Sequence, residues 1–532
     1  MKKIFSLIIA VICMITTTGL TGCFRRENIV VDETKTQLSI YVYAGGLTGD
    51  WAKEVAKEFE EYYADYPGEN GKKGVQVLID SEDKKDPEPI TTGLANGTFT
   101  WDIVYSDSPT WKKSFADTGE TADITDVLTE KVYDENGEIG GSKYSILDKM
   151  DPYFVNSYDA GNGRYMAFPF QDAVIGYVYD ADLFEEEGYE EPQTMEDFYT
   201  LLDDLTRNYI PIVYSNTSFY FPMITEGIAA QYGGQDFINL NKTYSGKHTV
   251  RSTGKTVDIT PSNGYLIADS EPMYKALEFV HKILGSKSYY SSNSFLMSQE
   301  YRLAQGEYVL SVENAKRGKS KRIAMLFDGE WWEREAKKDF TDMSAYGEQY
   351  DYGKRNFKML PFPIMEGQAE SNKRYLAGWG NGTTAFITKR SPVKDLAKKW
   401  VQFQHSRSSL ATFTRSTGTK LPYEYDLKPE EYESLTKFAQ NMWNLRKDEN
   451  VEIYRHTGGS EFRELCPKNV FGVIGAIVPS GYSQPMVAFR IDNETNTQLK
   501  IDTYYQAILN TFTKESWDKM YKEMCQLYGK TF

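Results

Sequence analysis

The sequence predicts an α/β fold with a parallel sheet, and the segment 38–79 carries the clearest evidence. Residues 38–43 alternate as a β-strand does, and residues 75–79 form a second apolar run. Between them, side chains recur at the spacing of one helix face, and Asp50 stands where it can cap that helix; the recurring residues are Trp51, Val55, Phe59 and Tyr62. Strand, helix and strand at this spacing predict a βαβ unit, which implies parallel strands.

Later segments continue the alternation of strands and helices. Residues 102–105 and 174–179 have strand character. Thr194 with Asp197 predicts a capping box at a helix start, and Ser391 before Pro392 predicts an N-cap with proline at the first helical position. The polar stretch 239–269, rich in Gly, Ser and Thr, predicts an inserted surface loop or hairpin.

The first 23 residues have the order of a bacterial lipoprotein signal. Lys2 and Lys3 precede an uncharged run at 4–15 that is too short to span a membrane, and small residues then lead to Cys23. We therefore expect residues 1–22 to be a signal peptide, Cys23 to carry the acyl chains, palmitate included, and 23–37 to be a polar tether. An ordinary secretory signal with a chance cysteine is the alternative.

The length, net charge and composition of the chain exclude some classes of function and favour others. The chain has 532 residues with a formal net charge of -16, and losing Lys2 and Lys3 with the signal makes it -18. A nucleic-acid partner is therefore not expected. Removal of the signal leaves Cys466 and Cys525, which are either paired in a disulfide or free thiols. Aromatic residues make up 14% of the chain, and such flat faces with polar handles suit sugar rings.

No sequence signature predicts catalysis or a metal site. The chain contains no G-x-S-x-G or H-E-x-x-H motif, and its few histidines are widely scattered, at His248, His281, His405 and His456. The acidic segment 134–138 lacks the ligand spacing of an EF-hand loop. We therefore predict no catalytic residue, no metal and no cofactor. A glycosidase pair of carboxylates stays open, because their separation is a spatial property.

Several stretches, in this order, resemble the extracellular solute-binding proteins of family 1, the sugar-binding lipoproteins of ABC importers. The segment W-D-I-V-Y-S-D at 101–107 resembles a strand end of that family, and 167–184 resembles its first crossing between lobes. The segment D-G-E-W-W at 328–332 resembles its "G-x-W" site loop, and further similar pieces lie between 377 and 422. The resemblance covers residues 38 to about 423 well and the remainder only by analogy.

The resemblance implies a two-lobed, periplasmic-binding-protein-like fold of type II, with hinge strands and a ligand cleft between the lobes. Lobe 1 would comprise 38–172 and about 381–422, and lobe 2 would comprise 173–380 and about 423–532. A monomer is expected.

The same resemblance places ligand contacts on loops after strands. The backbone amides at Gly45 and Gly46 would meet ligand hydroxyls, unless these glycines form only a tight turn. Asp172 would accept from the ligand at the first crossing, and one tryptophan of the pair 331–332 would stack, with Trp332 preferred. Asp107 has the alternative role of a helix N-cap and Trp379 that of hinge packing. The full predicted set is Gly45, Gly46, Ser106, Asp107, Trp111, Asp172, Trp331, Trp332 and Trp379.

The function implied is a receptor on the extracytoplasmic face of the cell membrane. It would capture a carbohydrate, most simply an oligosaccharide, and hand it to an ABC permease without performing chemistry. Two alternatives remain at this point: an exported glycan-degrading hydrolase that uses two carboxylates, and a binding protein for another solute such as a peptide.

Replacing Cys23 by alanine tests the anchor. Because the acyl chains would be attached to this thiol, the Cys23→Ala protein should leave the membrane fraction for the soluble fraction after signal cleavage. Fractionation followed by immunoblotting measures this, with Cys525→Ala as the matched control. A cleaved Cys23→Ala protein that stays with the membranes would show that the anchor is not this lipid.

Overall fold

Two β-sheets organise the part of the chain that the structure, a computed structural model, describes: residues 30–43, 45–82, 87–106, 120–216, 220–378, 383–455 and 478–527. The strands in chain order are β1 (Thr36–Tyr43), β2 (Val75–Glu82), β3 (Ile103–Ser106), β4 (Val174–Asp180), β5 (Ile210–Tyr214), β6 (Gly246–Val250), β7 (Lys255–Ile259), β8 (Ile323–Gly329), β9 (Phe357–Leu360), β10 (Arg374–Gly378), β11 (Thr384–Ile387) and β12 (Val451–Arg455).

Helices alternate with these strands along the chain. In chain order they are α1 (Asp50–Tyr62), α2 (Pro87–Asn96), α3 (Thr125–Thr129), α4 (Ile146–Lys149), α5 (Pro152–Tyr158), α6 (Ala181–Glu187), α7 (Met195–Asn208), α8 (Tyr220–Thr243), α9 (Glu271–Leu284), α10 (Tyr301–Lys316), α11 (Trp332–Glu335), α12 (Lys337–Met343), α13 (Lys394–Gln404), α14 (Arg407–Thr417), α15 (Pro429–Glu433), α16 (Lys437–Leu445), α17 (Pro485–Ala488), α18 (Ile501–Thr511) and α19 (Lys514–Leu527). Among the described residues, none of these helices combines the length and apolar character needed to span a membrane.

The first sheet has the strand order β11-β3-β1-β2. Strand β1 pairs in parallel with both β2 and β3, and β11 pairs antiparallel with β3. Helix α1 connects β1 to β2, so the predicted βαβ unit is confirmed. Trp51, Val55 and Phe59 are fully buried on the inner face of α1, whereas Tyr62 at its last turn is 54% exposed.

The second sheet has the order β12-β10-β4-β8-β5, and β9 also pairs with β4. Strands β5 and β8 are parallel, as are β10 and β12, while β4 runs antiparallel to β8, β9 and β10. The carboxyl ends of β5, β8, β10 and β12 therefore lie at the same edge of this sheet as the start of β4. Helices α7 and α10 pack on it.

Short connections join the two sheets. Phe168 forms a β-bridge with Ala385 of the first sheet, and β4 of the second sheet begins at Val174. The return path is equally short, since β10 ends at Gly378 and β11 begins at Thr384. The edge with the carboxyl ends of β1, β2 and β3 consequently faces the corresponding edge of the second sheet.

The predicted helix starts have mixed outcomes. The capping box of α7 is confirmed, because Thr194 accepts from the Asp197 amide and the Asp197 carboxylate accepts from the Thr194 amide. Asp50 is wrong as an N-cap: it is the first helical residue, and its carboxylate bonds an arginine instead. Ser391 is also wrong as an N-cap, because α13 begins only at Lys394; its hydroxyl accepts from the Val393 amide at 3.2 Å and donates to Asp102 at 2.6 Å.

Two peripheral predictions can also be compared with the structure. The polar stretch 239–269 contains the antiparallel hairpin of β6 and β7, so the hairpin alternative is confirmed. The last residues of the predicted tether belong to the folded body, since β1 already includes Thr36 and the Asp32 amide donates to Gln76 at 2.8 Å. Cys23 and Cys466 lie outside the described residues, and the side chain of Cys525 is not described either.

Candidate ligand-binding site

The facing edges of the two sheets bring together most of the described candidates. Gly45 and Gly46 follow β1, Ser106 ends β3, and Trp331 follows β8. Ligands of α/β proteins bind at the carboxyl ends of strands, where loops replace the closed hydrogen bonding of the sheet. Ser106 is only 2% exposed, in register with Thr384 of β11. Asp107, Trp111 and Trp379 lie outside the described residues.

Trp332 belongs to the core of the second lobe. Its side chain is fully buried, and its indole packs against four aromatic rings at centroid distances of 4.9 to 5.9 Å, those of Tyr308, Phe340, Phe357 and Phe438. No face of this indole is left for a ligand. The choice of Trp332 as the stacking ring is therefore corrected, and Trp331 remains as the candidate.

Trp331 lies at the boundary between the lobes. A Cβ atom added to Gly46 would come within 2.6 Å of the indole Cγ and Cδ1, so the first-lobe loop touches the ring. On its own lobe, the benzo part of the indole packs as closely against Gly329. The ring is 7% exposed in this arrangement. Glycine at both positions is what allows the indole to fit between two stretches of backbone.

A chain of buried polar groups orients Trp331. Its indole packs against the ring of Tyr220, with centroids 6.4 Å apart, and the Tyr220 hydroxyl donates to Asp328 Oδ1 at 2.9 Å. Asp328 Oδ2 also accepts from Gln305 at 3.0 Å, and the same amide donates to Glu335 at 2.7 Å. Burial raises the pKa of Asp328 to about 6, against the lowering effect of these hydrogen bonds.

Asp172 occupies the first crossing, but its carboxylate is held by arginines. Arg455 donates from Nε to Oδ1 at 2.9 Å and from Nη2 to Oδ2 at 2.8 Å, a bidentate pair. Arg446 approaches Oδ2 at 3.4 Å and also donates to the backbone carbonyl of Asp172. The Asp172 side chain is 7% exposed, which leaves little of it to a ligand.

The same two arginines extend the network into both lobes. Arg446 donates to Glu330 Oε2 at 2.6 Å, and that oxygen also accepts from the Val174 amide at 3.2 Å. Arg455 reaches Asp151, which caps helix α5 of the first lobe, at 3.2 Å. We call Asp151, Asp172, Glu330, Arg446 and Arg455 the crossing network. It ties the first lobe, the connection and the second lobe together through charge-assisted hydrogen bonds.

The electrostatics of the crossing network follow from burial and pairing. Burial by itself would raise the pKa of Asp172, but the positive charges of Arg455 and Arg446 outweigh it and hold that pKa below its usual value. Burial raises the pKa of Glu330, and Arg446 opposes this only in part. Two arginines and three carboxylates thus nearly balance one another at the crossing.

Comparison with known proteins decides the family. A family profile described as bacterial extracellular solute-binding protein matches residues 54–440, most of the chain. The chain is a bacterial extracellular solute-binding protein. No curated protein matches its sequence significantly. The solute-binding protein has the two-lobed α/β fold predicted from the resemblance, as its structural neighbours show.

The structural neighbours are distant in sequence. "SBP RafE in complex with raffinose" has a TM-score of 0.52 and 14% identity, covering 93% of this chain and 99% of its own. The "Thermus thermophilus maltotriose binding protein bound with maltotriose" has a TM-score of 0.52 and 16% identity, with 90% and 99% covered. Lmo0181 from Listeria monocytogenes in complex with cycloalternan has a TM-score of 0.50 and 14% identity, with 93% and 100% covered.

Sequence reasoning missed the partners of the predicted site residues. Arg446 and Arg455 lie 274 and 283 positions from Asp172, in the stretch beyond residue 423 where no motif was recognised. Glu330 lies inside the recognised D-G-E-W-W segment, so the sequence could have indicated that this residue lies near the site. Tyr220, which positions Trp331, begins a helix and had no signal in the sequence.

Replacing Asp172 by alanine should destabilise the solute-binding protein. The substitution removes the shared partner of two largely buried arginines, which costs about 3 to 5 kcal/mol in the free energy of unfolding. Because the pKa of Asp172 is lowered in the folded state, its contribution is present at neutral pH and is lost as the pH falls through that lowered pKa.

Thermal and denaturant unfolding of Asp172→Ala at neutral and acidic pH measure this effect. Asp426→Ala is the matched control, because it breaks the exposed pair with Lys447, where a loss below about 1 kcal/mol is expected. An unchanged midpoint together with weakened ligand binding would instead support Asp172 as a ligand contact.

Trp332→Ala should lower the free energy of unfolding by about 3 to 5 kcal/mol, because it leaves a cavity among four aromatic rings. Trp332→Phe keeps most of the packing and should lose clearly less. Denaturant titration of both variants checks this expectation. Wild-type stability of the Trp332→Ala protein would contradict the core role of Trp332 and support the prediction from the sequence that it contacts the ligand.

Proposed function

We propose that this solute-binding protein is the substrate-binding lipoprotein of an ABC importer, which captures a carbohydrate between its lobes and delivers it to the permease. Family membership supports the binding role over the glycan-degrading alternative, because the family consists of solute-binding proteins. The neighbours with raffinose, maltotriose and cycloalternan in their titles support a carbohydrate, and an oligosaccharide in particular.

The observation that carries the proposal is the position of Trp331. Its indole follows the carboxyl end of β8 and faces the loop after β1 on the other lobe. An oriented aromatic ring at such a boundary suits the apolar face of a sugar ring, while backbone amides at Gly45 and Gly46 suit its hydroxyls. We propose that the ligand enters between these two loops when the lobes are apart.

The charge arrangement at the crossing supports an uncharged ligand. Asp172, Arg446 and Arg455 satisfy one another, and Glu330 pairs with Arg446. A charged solute such as a peptide would need a free counter-charge, since buried ions without a partner are costly. The charged groups of the crossing network pair with one another, so they do not supply a counter-charge to a ligand.

The cellular arrangement belongs to the same proposal. The signal at 1–22 would be removed, and Cys23 would carry the lipid that holds the protein on the extracytoplasmic face of the cell membrane. With Asp32 already bonded to Gln76, the tether would end near residue 31. The protein would act as a monomer, without a cofactor and without chemistry of its own.

We propose that binding shifts the equilibrium between open and closed lobes. Lobe 1 would comprise 38–172 and about 381–422, lobe 2 would comprise 173–380 and about 423–532, and the hinge would lie in the connections between them. A ligand that contacts both lobes binds the closed form more tightly and therefore populates it. The closed form would then be the one that the permease recognises.

A ligand screen followed by a single variant tests the proposal. Thermal-shift measurements with oligosaccharides, peptides and amino acids should give a rise in midpoint for an oligosaccharide. In calorimetric titration with that sugar, Trp331→Leu should bind about tenfold more weakly, which corresponds to about 1.4 kcal/mol. Trp517→Leu is the control, because Trp517 packs on Tyr244 and not on the loops proposed to bind the ligand. This variant should lose stability but keep the wild-type affinity for the sugar.

The outcome also separates the alternatives. A binding protein returns its ligand intact after long incubation, whereas shortened products in the incubation would support the hydrolase. A midpoint rise with peptides alone would assign another solute. Unchanged affinity in Trp331→Leu would remove the ring from the ligand site.

A further inference from the structure

The two lobes touch each other both at the candidate site and one helical turn beyond it. Gly46 of the first lobe meets the Trp331 indole, as described above. One helical turn further along each chain segment, Arg334 of the second lobe donates from Nη2 to the Asp50 carboxylate of the first. The same nitrogen lies 3.5 Å from Thr48 Oγ1. These contacts join the loop after β1 to the loop after β8.

Each side of this contact is held in place by its own lobe. The Arg334 side chain is 11% exposed and lies beside Tyr352 of its own lobe. Asp50 is the first residue of α1, where the helix dipole favours a carboxylate. Thr48 adopts a left-handed conformation with φ of 57°, which is unusual for a β-branched residue. Partners that are already ordered lose little entropy when they meet.

We propose that Asp50 and Arg334 form an interlobe latch that sets the affinity for the ligand without contacting it. The proposal rests on the function proposed above and specifies how that site is regulated. The Asp50–Arg334 pair exists only while the lobes are together, so its free energy goes entirely into the closed state. Apparent affinity rises with the closed fraction, because only that state holds the ligand from both sides.

If the latch exists, the affinity for the ligand should depend on salt concentration, which contacts to an uncharged ligand alone would not cause. The Asp50 side chain is 54% exposed, and ion pairs reached by solvent are screened by salt. The affinity for an uncharged carbohydrate should therefore fall as salt is added, although the ligand itself carries no charge. An exposed or half-exposed pair contributes up to about 1 kcal/mol, which corresponds to an effect of about two- to fivefold.

Gly46, whose amide is assigned to the ligand above, also determines by its small size how closely the two lobes can approach. A methyl group at this position would overlap the Trp331 indole, and neither the ring, which rests on Gly329, nor the backbone can easily retreat. Gly46→Ala should therefore hold the lobes apart and weaken binding more than loss of the ion pair does.

A double-variant cycle tests the latch. Calorimetric titrations with the best neutral sugar, at low and high salt, compare the wild type with Asp50→Asn, Arg334→Gln and the double variant. Each single variant should lose about two- to fivefold in affinity and most of the salt dependence, and the double variant should be no weaker than the singles. Asp126→Asn is the matched control, because it breaks a comparable ion pair with Lys398 inside the first lobe.

Wild-type affinity and salt dependence in both single variants, or additive losses in the double variant, would overturn the latch. Ligand-free small-angle X-ray scattering separates this failure from failure of the proposed function, because it needs no sugar. The radius of gyration should increase in Asp50→Asn, in Gly46→Ala and in the wild type at high salt, but not in Asp126→Asn. Identical scattering from all of these samples would overturn the latch whatever ligand the protein binds.

Discussion

The pairing of Asp172 with Arg446 and Arg455 is the interaction on which the arrangement of the lobes depends. Desolvation of these charged groups is costly, and only a complete set of hydrogen bonds offsets it. The two arginines come from the end of α16 and from β12, far along the chain from Asp172. The crossing is therefore satisfied only when the late segments have docked on the second sheet. The stability of this short connection therefore depends on the folding of the whole second lobe.

The rest of the site follows from this fixed crossing. Because the connections between the sheets are short, the carboxyl ends of β1 and β8 must face each other, and their loops meet. The start of α11 directly after β8 then separates the two neighbouring tryptophans, because successive residues of a helix point about 100° apart. Trp332 enters the core among aromatic rings, and Trp331 stays at the boundary, against Gly46. A polar chain through Tyr220 and Asp328 holds the boundary ring in place.

Local features could be predicted from the sequence, whereas contacts between distant segments could not. The βαβ unit, the α7 capping box and the hairpin depend on residues within one or two turns of each other, and their patterns are legible. Asp50 and Ser391 have ordinary N-cap chemistry, but α1 already includes Asp50 and α13 begins only at Lys394. Both side chains also form hydrogen bonds with remote segments, Asp50 with Arg334 and Ser391 with Asp102, which the sequence does not reveal. The choice between the paired tryptophans failed for the same reason, since burial is decided by three-dimensional neighbours.

Hydrogen–deuterium exchange with and without saturating oligosaccharide tests most directly whether a sugar is held between the two lobes. Slower exchange is expected in both facing loops, 45–49 on the first lobe and 328–334 on the second, because a bound ligand and closed lobes shield their amides. The amides of the peripheral hairpin 246–259 should exchange at unchanged rates. Protection confined to one lobe, or protection at a site remote from both loops, would contradict an interlobe binding site.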